Sequence, residues 1–311
     1  MTGSSRAGGS TPTGGPTGGA TRWTIPKGAP SFPGRFADDP RPPRVIYGAG
    51  DAGLLTVEAP RVAIVGARRC THYGLKTARR FGRELAEAGV VVVSGLAAGI
   101  DGAAHEGALA AAGSVGPIGV VGSGLDVVYP RRHRDLWRQV AETGCLISES
   151  EPHAAPDHWR FPLRNRLIGA MADLVLVVEA HLGSGTRHTV DAAIERNRQV
   201  LAVPGPIDSS ASQGSNQLLR EGCAPACEVD DVLMALGLSG GVGTSPLDLR
   251  PPPSPNDDPT LDSLEWTPIT LEVALRRTGL PLPDLVASLH RLREQGWVGS
   301  EDGCWFRTAP T

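Results

Sequence analysis

The chain has 311 residues, 40% hydrophobic and 20% charged, with a formal net charge of -3, an ordinary globular balance that leaves room for about two domains. That charge excludes a uniformly basic nucleic-acid-binding protein, so any anion site must be local. No stretch approaches the roughly 18 apolar residues of a membrane helix, and the start "MTGSSRAGGSTPTGG" lacks the basic and apolar regions of a signal peptide, so a cytoplasmic protein with no membrane partner is expected.

Residues 1–43 hold 17 Gly or Pro among many Ser and Thr, a composition that buries too little apolar surface to offset its ordering entropy, and a disordered tail is expected there. From Arg44 the text changes. "RVIYGAG" leads into a series of apolar runs: "VAIVG" (62–66), "VVVSG" (91–95), "IGVVG" (118–122), "CLISE" (145–149), "LVLVVE" (174–179) and "VLAVPG" (200–205). Runs that are apolar on both faces predict a parallel sheet covered by helices on each side. Between them lie amphipathic segments such as 73–89, where Leu75, Ala78, Phe81, Leu85 and Ala88 form one stripe and Gly89 a stop. The expectation for 44–238 is an α/β fold with a doubly wound, mostly parallel sheet, extended and Rossmann-like. A Gly- then Pro-rich stretch at 239–260 reads as a linker. Residues 261–311 give two helical patterns and a hairpin, which predicts a small winged helix-turn-helix.

The five cysteines, Cys70, Cys145, Cys223, Cys227 and Cys304, are odd in number and scattered, so they make neither a disulfide framework nor a metal site and read as buried or inert thiols. Only Lys27 and Lys76 are lysines; the other cations are arginines, whose planar fork suits phosphate, although a preference that runs through the whole chain also reads as a coding bias.

In open parallel sheets ligands sit beyond the carboxyl ends of the strands, which directs attention to the loops after each run. Gly66 permits close backbone approach, and Arg68 stands ahead of a helix whose free N–H groups would favour an anion. The dinucleotide fingerprint is absent, and the second run ends in Ser94 where a ribose-binding acid would be needed, which argues against a nicotinamide cofactor. In "SGLAAGID", Ser94, Gly95 and Gly99 can turn backbone amides outward, with Asp101 expected as helix N-cap and His105 one turn further on the same side. A capping Asp with a packed His accounts for that pair without catalysis, and no Ser or Cys nucleophile beside a base is evident, so no catalytic residue is assigned.

Gly122, Ser123 and Gly124 form a third small-residue loop. Arg164, Asn165 and Arg166 follow Trp159, Arg160 and Phe161 in the most cationic stretch of the domain, which reads either as a strand-binding surface or as a solvated helix face. Ser184, Gly185 and Thr186 open another helix in phosphate-friendly form.

The segments "VAIVGAR", "VVSGLAAGIDGAAHEGAL", "GSGLDVVYP", "FPLRNRLIG", "SGT" and "VLAVPGPIDSSASQGSNQLLREG", in this order, resemble the DprA/Smf family of DNA-processing proteins. The resemblance runs from about Arg44 to Leu238, and the segment from Leu261 is similar to that family's winged-helix domain. It implies a Rossmann-like domain that binds single-stranded DNA, protects it and helps load RecA recombinase in transformation or recombination, as a homodimer, without cofactor or metal. It places the contacts on Gly66 and Arg68, the "SGLAAGID" loop, the "RNR" segment and the "SGT" helix start.

Three departures stand out. The family's helical N-terminal domain has no counterpart in residues 1–43. Arg187 and Val190 occupy positions where the family's loop carries an apolar and a small residue. No lysine lies near the "RNR" segment, so Arg164 or Arg166 would serve instead. The same superfamily includes LOG-type nucleotide phosphoribohydrolases and nucleotide-sensing modules; the hydrolase signature needs a Glu where "GSGTRHTVD" offers only Thr189.

Overall fold

The computed structural model describes residues 15–238, 253–301 and 303–308. It divides into two compact units, residues 1–240 and 241–311. The expected tail falls partly outside the described residues (1–14), as does most of the expected linker (239–252).

The six runs become strands of one sheet, the first shifted by one residue and the other five a residue or two shorter than their apolar text. They follow β1 (Arg22–Pro26), α1 (Gly34–Ala37) and β2 (Val45–Gly50). The series is β3 (Arg61–Val65), α2 (His72–Glu87), β4 (Val91–Ser94), α3 (Ile100–Ala110), β5 (Ile118–Val120), α4 (Arg134–Thr143) and β6 (Cys145–Ser148). It continues with α5 (Arg160–Met171), β7 (Leu174–Val177), α6 (Thr186–Ile194), β8 (Gln199–Ala202), α7 (Gln213–Arg220), β9 (Ala224–Pro225) and α8 (Val229–Ala235). The sheet order is β1-β2-β6-β5-β4-β3-β7-β8-β9, parallel from β6 to β9 with an antiparallel β1–β2 hairpin added at one edge. Val62, Ile64, Leu174 and Leu176 face one helical layer, and Ala63, Val65, Val175 and Val177 the other, so each central strand is buried on both faces.

The segment expected to be a disordered tail is, from residue 15 onward, part of the fold. β1 pairs along its whole length with β2, and Trp23 Nε1 donates to Gly50 O at 2.9 Å. Phe36 is fully buried in the main core. Its Gly and Pro residues serve as turns around a few anchoring side chains, a case in which mean composition says little. Two of its ion pairs are bidentate: Arg35 to Asp173 at 2.6 and 3.0 Å, and Asp39 to Arg196 through both carboxylate oxygens at 2.6 and 2.9 Å. Burial alone would raise the Asp39 carboxyl; the Arg196 fork and the Arg41 N–H outweigh it and hold its pKa below the usual range.

Where β7 ends, Glu179 turns back under the start of α2. Its carboxylate accepts from Thr71 N–H at 2.9 Å and Thr71 Oγ1 at 2.6 Å, while Thr71 Oγ1 caps Gly74 N–H. This buried carboxylate supplies the negative charge that a helix N-terminus favours.

The second unit packs α9 (Asp258–Ser263), α10 (Leu271–Thr278) and α11 (Leu282–Glu294) against a three-stranded antiparallel sheet of β10 (Ile269–Thr270), β12 (Cys304–Arg307) and β11 (Val298–Glu301). That is the expected winged-helix arrangement, around Leu261, Leu285, Leu289 and Leu292. It begins before 261: the buried Asp257 carboxylate binds the Arg291 guanidinium at 2.6 Å, so the described end of the expected linker belongs to this unit. Among the described residues no helix is long and apolar enough to cross a membrane, and the five cysteines are free.

Replacing Asp39 by Ala leaves the buried Arg196 without its bidentate counterion, at a cost of about 3 kcal/mol. The urea midpoint should fall accordingly; an unshifted midpoint would show that this ion pair adds nothing to the fold.

Candidate functional site

At the carboxyl edge of the sheet a cavity of about 450 Å³ opens between the loops after β3, β4 and β7 and the helix α5. Gly66, Arg68, Asp101, Arg164, Asn165, Ser184, Gly185 and Thr186 all line it, so the tertiary fold brings together eight of the residues singled out in sequence. They occupy different depths, and their roles separate accordingly.

Arg68 is exposed at the mouth, its guanidinium 4.8 Å from the centre of the Phe161 ring, and Phe161 in turn lies 5.3 Å from Tyr129. This places a cation and two aromatic faces side by side. Asn165 Nδ2 donates to Gly185 O at 3.3 Å and ties α5 to the turn before α6. That turn is accessible at Ser184 and Gly185, and α6 starts at Thr186 without a side-chain cap, its Arg187 and His188 amides donating to Ser184 O and Gly185 O at 3.1 and 3.3 Å. The corresponding start of α2, where a free anion site was expected, is already filled by Glu179, so Arg68 stands at the rim without a helix start behind it.

Arg164 is not a surface contact. Its Nη1 donates to Gly95 O at 2.6 Å and to Val120 O, the carbonyls where β4 and β5 end. Burial lowers its pKa to about 10, against the pull of Asp101, so it keeps its charge at neutral pH. Arg166, expected as an alternative contact, is bound to Glu149 and largely buried. A long cation on a half-buried helix has two directions to take, and the sequence does not say which.

The "SGLAAGID" loop is likewise engaged inward. Ser94 Oγ donates to Ile64 O at 2.6 Å and Gly95 N–H to Asp101 Oδ2 at 3.2 Å. A Cβ on Gly95 would lie 2.3 Å from Arg164 Nη1 and 2.5 Å from Asp101 Oδ2, so only glycine fits between them. Gly99, at φ +83°, is the residue that precedes α3, and Asp101 sits inside the first turn instead of capping it as expected. Burial raises the Asp101 carboxyl, against Arg164, Arg68 and the Gly95 and Ala97 amides.

His105 is fully buried one turn on; its ring nitrogens make no hydrogen bond of normal geometry, with only a weak polar contact to the Ser94 backbone. Burial, joined by the charges of His133 and Arg164, lowers its pKa to about 4, so the ring is neutral and packs as expected. The third loop is closed on itself: Ser123 Oγ donates to Val127 O at 2.6 Å and Gly124 N–H to Ala154 O at 2.9 Å, while Gly122 lines a separate cavity.

Several lining residues were not anticipated. Arg69, His158, His181 and His188 border the cavity. His181 spans two loops, its ring nitrogens each 3.0 Å from a carbonyl, of Arg69 and of Ser210. The available signal was position: each lies in a segment around the carboxyl ends of the strands. Arg187, which departs from the expected loop pattern, binds Asp191 and Glu221 at 2.8 Å on the outer face and does not line the cavity. Val190 is buried in the core. Among the described residues there is no His, Cys, Asp and Glu cluster able to hold a metal ion.

The family model for DNA recombination-mediator protein A matches residues 23–237. The chain is 35% identical over 283 residues to protein Smf of Escherichia coli, covering 86% of this chain and 74% of that protein. It is 42% identical over 198 residues to a DNA processing protein DprA of Mycobacterium tuberculosis, covering 64% of this chain and half of that one. The solved DNA processing protein A of Streptococcus pneumoniae superposes with a TM-score of 0.64 at 35% identity over 68% of this chain and 73% of its own. That of Helicobacter pylori, described as having a unique single-stranded DNA binding mode, superposes with a TM-score of 0.62 at 31% identity, over 69% and 95% respectively.

Two outcomes test this geometry. Arg164→Met should cost about 3–5 kcal/mol, because it leaves the buried Gly95 and Val120 carbonyls without their charged donor and removes the stronger of the two cations acting on Asp101; a midpoint within error of wild type in urea would contradict it. For His105, the unfolded chain takes up a proton below its ordinary pKa of 6.5 while the folded chain resists until about 4. Stability therefore falls on acidification through that window, by about 2–3 kcal/mol. His105→Leu should remove that part of the slope when urea midpoints near neutral pH and about pH 4.5 are compared.

Proposed function

The chain belongs to the DNA recombination-mediator protein A family, and from that premise we propose that its first unit binds single-stranded DNA along the carboxyl edge of the sheet without performing chemistry on it. The observation that carries this reading is the mouth of the large cavity: an exposed Arg68 stacked on Phe161, facing the uncapped start of α6 at Ser184–Thr186. Phosphate oxygens meet the guanidinium and the accessible Ser184–Gly185 turn, and bases lie against the aromatic faces, a combination that serves any sequence. The recess is bounded by α5 and three loops, which suits one strand better than a rigid duplex. In this reading the bound strand is protected and RecA recombinase is helped onto it, with the protein acting as a homodimer in the cytoplasm during transformation or recombination.

No catalytic role is assigned. Asp101 is held against Gly95 and Arg164, and His105 is neutral and enclosed, so neither presents a free acid or base to the cavity. The position where a nucleotide phosphoribohydrolase would need a carboxylate holds Thr189, which is buried.

The test is fluorescence anisotropy with a labelled single strand and the matching duplex. The single strand should bind more tightly, with affinity falling as salt rises through counterion release. Arg68→Ala should weaken binding about ten- to a hundredfold, the worth of one or two charge-assisted hydrogen bonds, with an unchanged melting temperature. Undiminished binding in that variant, or release of base from a nucleoside monophosphate by the wild-type protein, would overturn the reading.

A further inference from the structure

A second cavity, of about 380 Å³, flanks the other side of α5. Helical periodicity divides the two: Phe161, Asn165 and Ile168, at i, i+4 and i+7, line the first, whereas Trp159, Leu163 and Arg166, with the same spacing, line the second. The two meet around the start of the helix. Arg164 borders both, and a small cleft of about 40 Å³ that contains Arg68, Phe161 and Gly122 joins them. A chain that crosses the N-terminal end of α5 therefore has a recess on each side.

The chemistry of the second cavity suits an anion attached to a flat ring. Arg44, Arg160 and Arg166 line it together with a single carboxylate, Glu149, which is already bound to Arg166, while Arg164 behind them is spent on the Gly95 and Val120 carbonyls. Arg166 Nη1 is buried and has no acceptor, a donor left over once Glu149 is satisfied. Arg44 is exposed and makes no ion pair among the described residues. Beside it Trp159 is 57% exposed, an unusual position for an indole that contributes little to the core. Its ring is held by the Arg160 guanidinium at 4.4 Å, and Arg160 is itself fixed by Asp157 at 3.3 Å and Ser150 Oγ at 2.9 Å. The aromatic platform is thus oriented before any ligand arrives.

We propose that this cavity is a second nucleotide subsite for the same strand, with a base laid on Trp159 and its phosphate met by Arg44. The proposal rests on the reading of the first cavity as a strand-binding site and extends it: the strand wraps the start of α5, with Arg68 and Phe161 on one side and Trp159 and Arg44 on the other. Stacking on an indole is indifferent to base identity, and a surplus of guanidinium groups answers the phosphate charge.

The experiment compares two thymidine oligonucleotides by anisotropy, one of about 4 and one of about 16 nucleotides, the ends of the range a single site of this kind spans. The variants are Arg44→Ser with Trp159→Ala, and Arg44→Glu alone, each checked by thermal melting; both side chains are exposed, so folding should be retained. The double variant should bind the long strand about tenfold more weakly and the short one as wild type, whereas Arg68→Ala should lose both. Arg44→Glu should reproduce the length-dependent loss by charge reversal. Unchanged binding of the long strand in both variants would overturn the second subsite. An equal loss at both lengths would overturn it too, since Trp159 would then belong to the first site. Failure of the strand-binding reading itself would look different, as wild-type protein that binds neither oligonucleotide or an Arg68→Ala variant that binds both.

Discussion

The carboxyl edge of the sheet is organised by one buried cation. Arg164 reaches from α5 across the ends of β4 and β5, where its guanidinium takes the Gly95 and Val120 carbonyls and stands beside Asp101. Buried charge is tolerable only when paired and hydrogen-bonded, and here both conditions draw on different parts of the chain. The requirement for glycine at position 95, the inward turn of Asp101 and the position of α5 all follow from where this group sits. With the loop after β4 thus tied down, the surface left for a ligand is the rim above it.

Helix starts at this edge show the same division between internal and external use. That of α2 is answered by the protein's own Thr71 and Glu179, whereas those of α3 and α6 have no side-chain cap. A helix N-terminus is a general anion site, but a fold can spend it on its own stability. The same holds for the cations. Arg166 binds Glu149 and Arg187 binds Asp191 and Glu221, which leaves Arg68 at the cavity mouth with only an aromatic neighbour. A local cationic rim on a chain of net charge -3 follows from this selective pairing, not from composition.

The amino-terminal hairpin shows how a few side chains can override a disorder-prone composition. Residues 15–43 are rich in Gly and Pro, yet Trp23, Phe36, Arg35 and Asp39 each find a partner in the main domain. Ordering costs are offset residue by residue where anchors exist, and average hydrophobicity does not register them. The hairpin extends the parallel sheet by two antiparallel strands, and Arg44, at its end, reaches the second cavity.

What the sequence by itself determined was the succession of elements. Continuous apolar runs from "VAIVG" to "VLAVPG" encode strands buried on both faces, and the stripe along 73–89 encodes a helix through its 3.6-residue period. The order of small-residue loops also pointed to the carboxyl edge, where Gly66, Arg68, Asn165 and the Ser184–Thr186 turn line one cavity. What only the tertiary structure decided was the direction in which each polar side chain points. Arg164, Arg166 and Ser94 read as candidates for an exposed site in a one-dimensional text, and each is consumed by a partner far away in sequence, as Glu179 is at Thr71. Hydrogen bonds of that kind depend on distances across the sheet, and local periodicity carries no information about them.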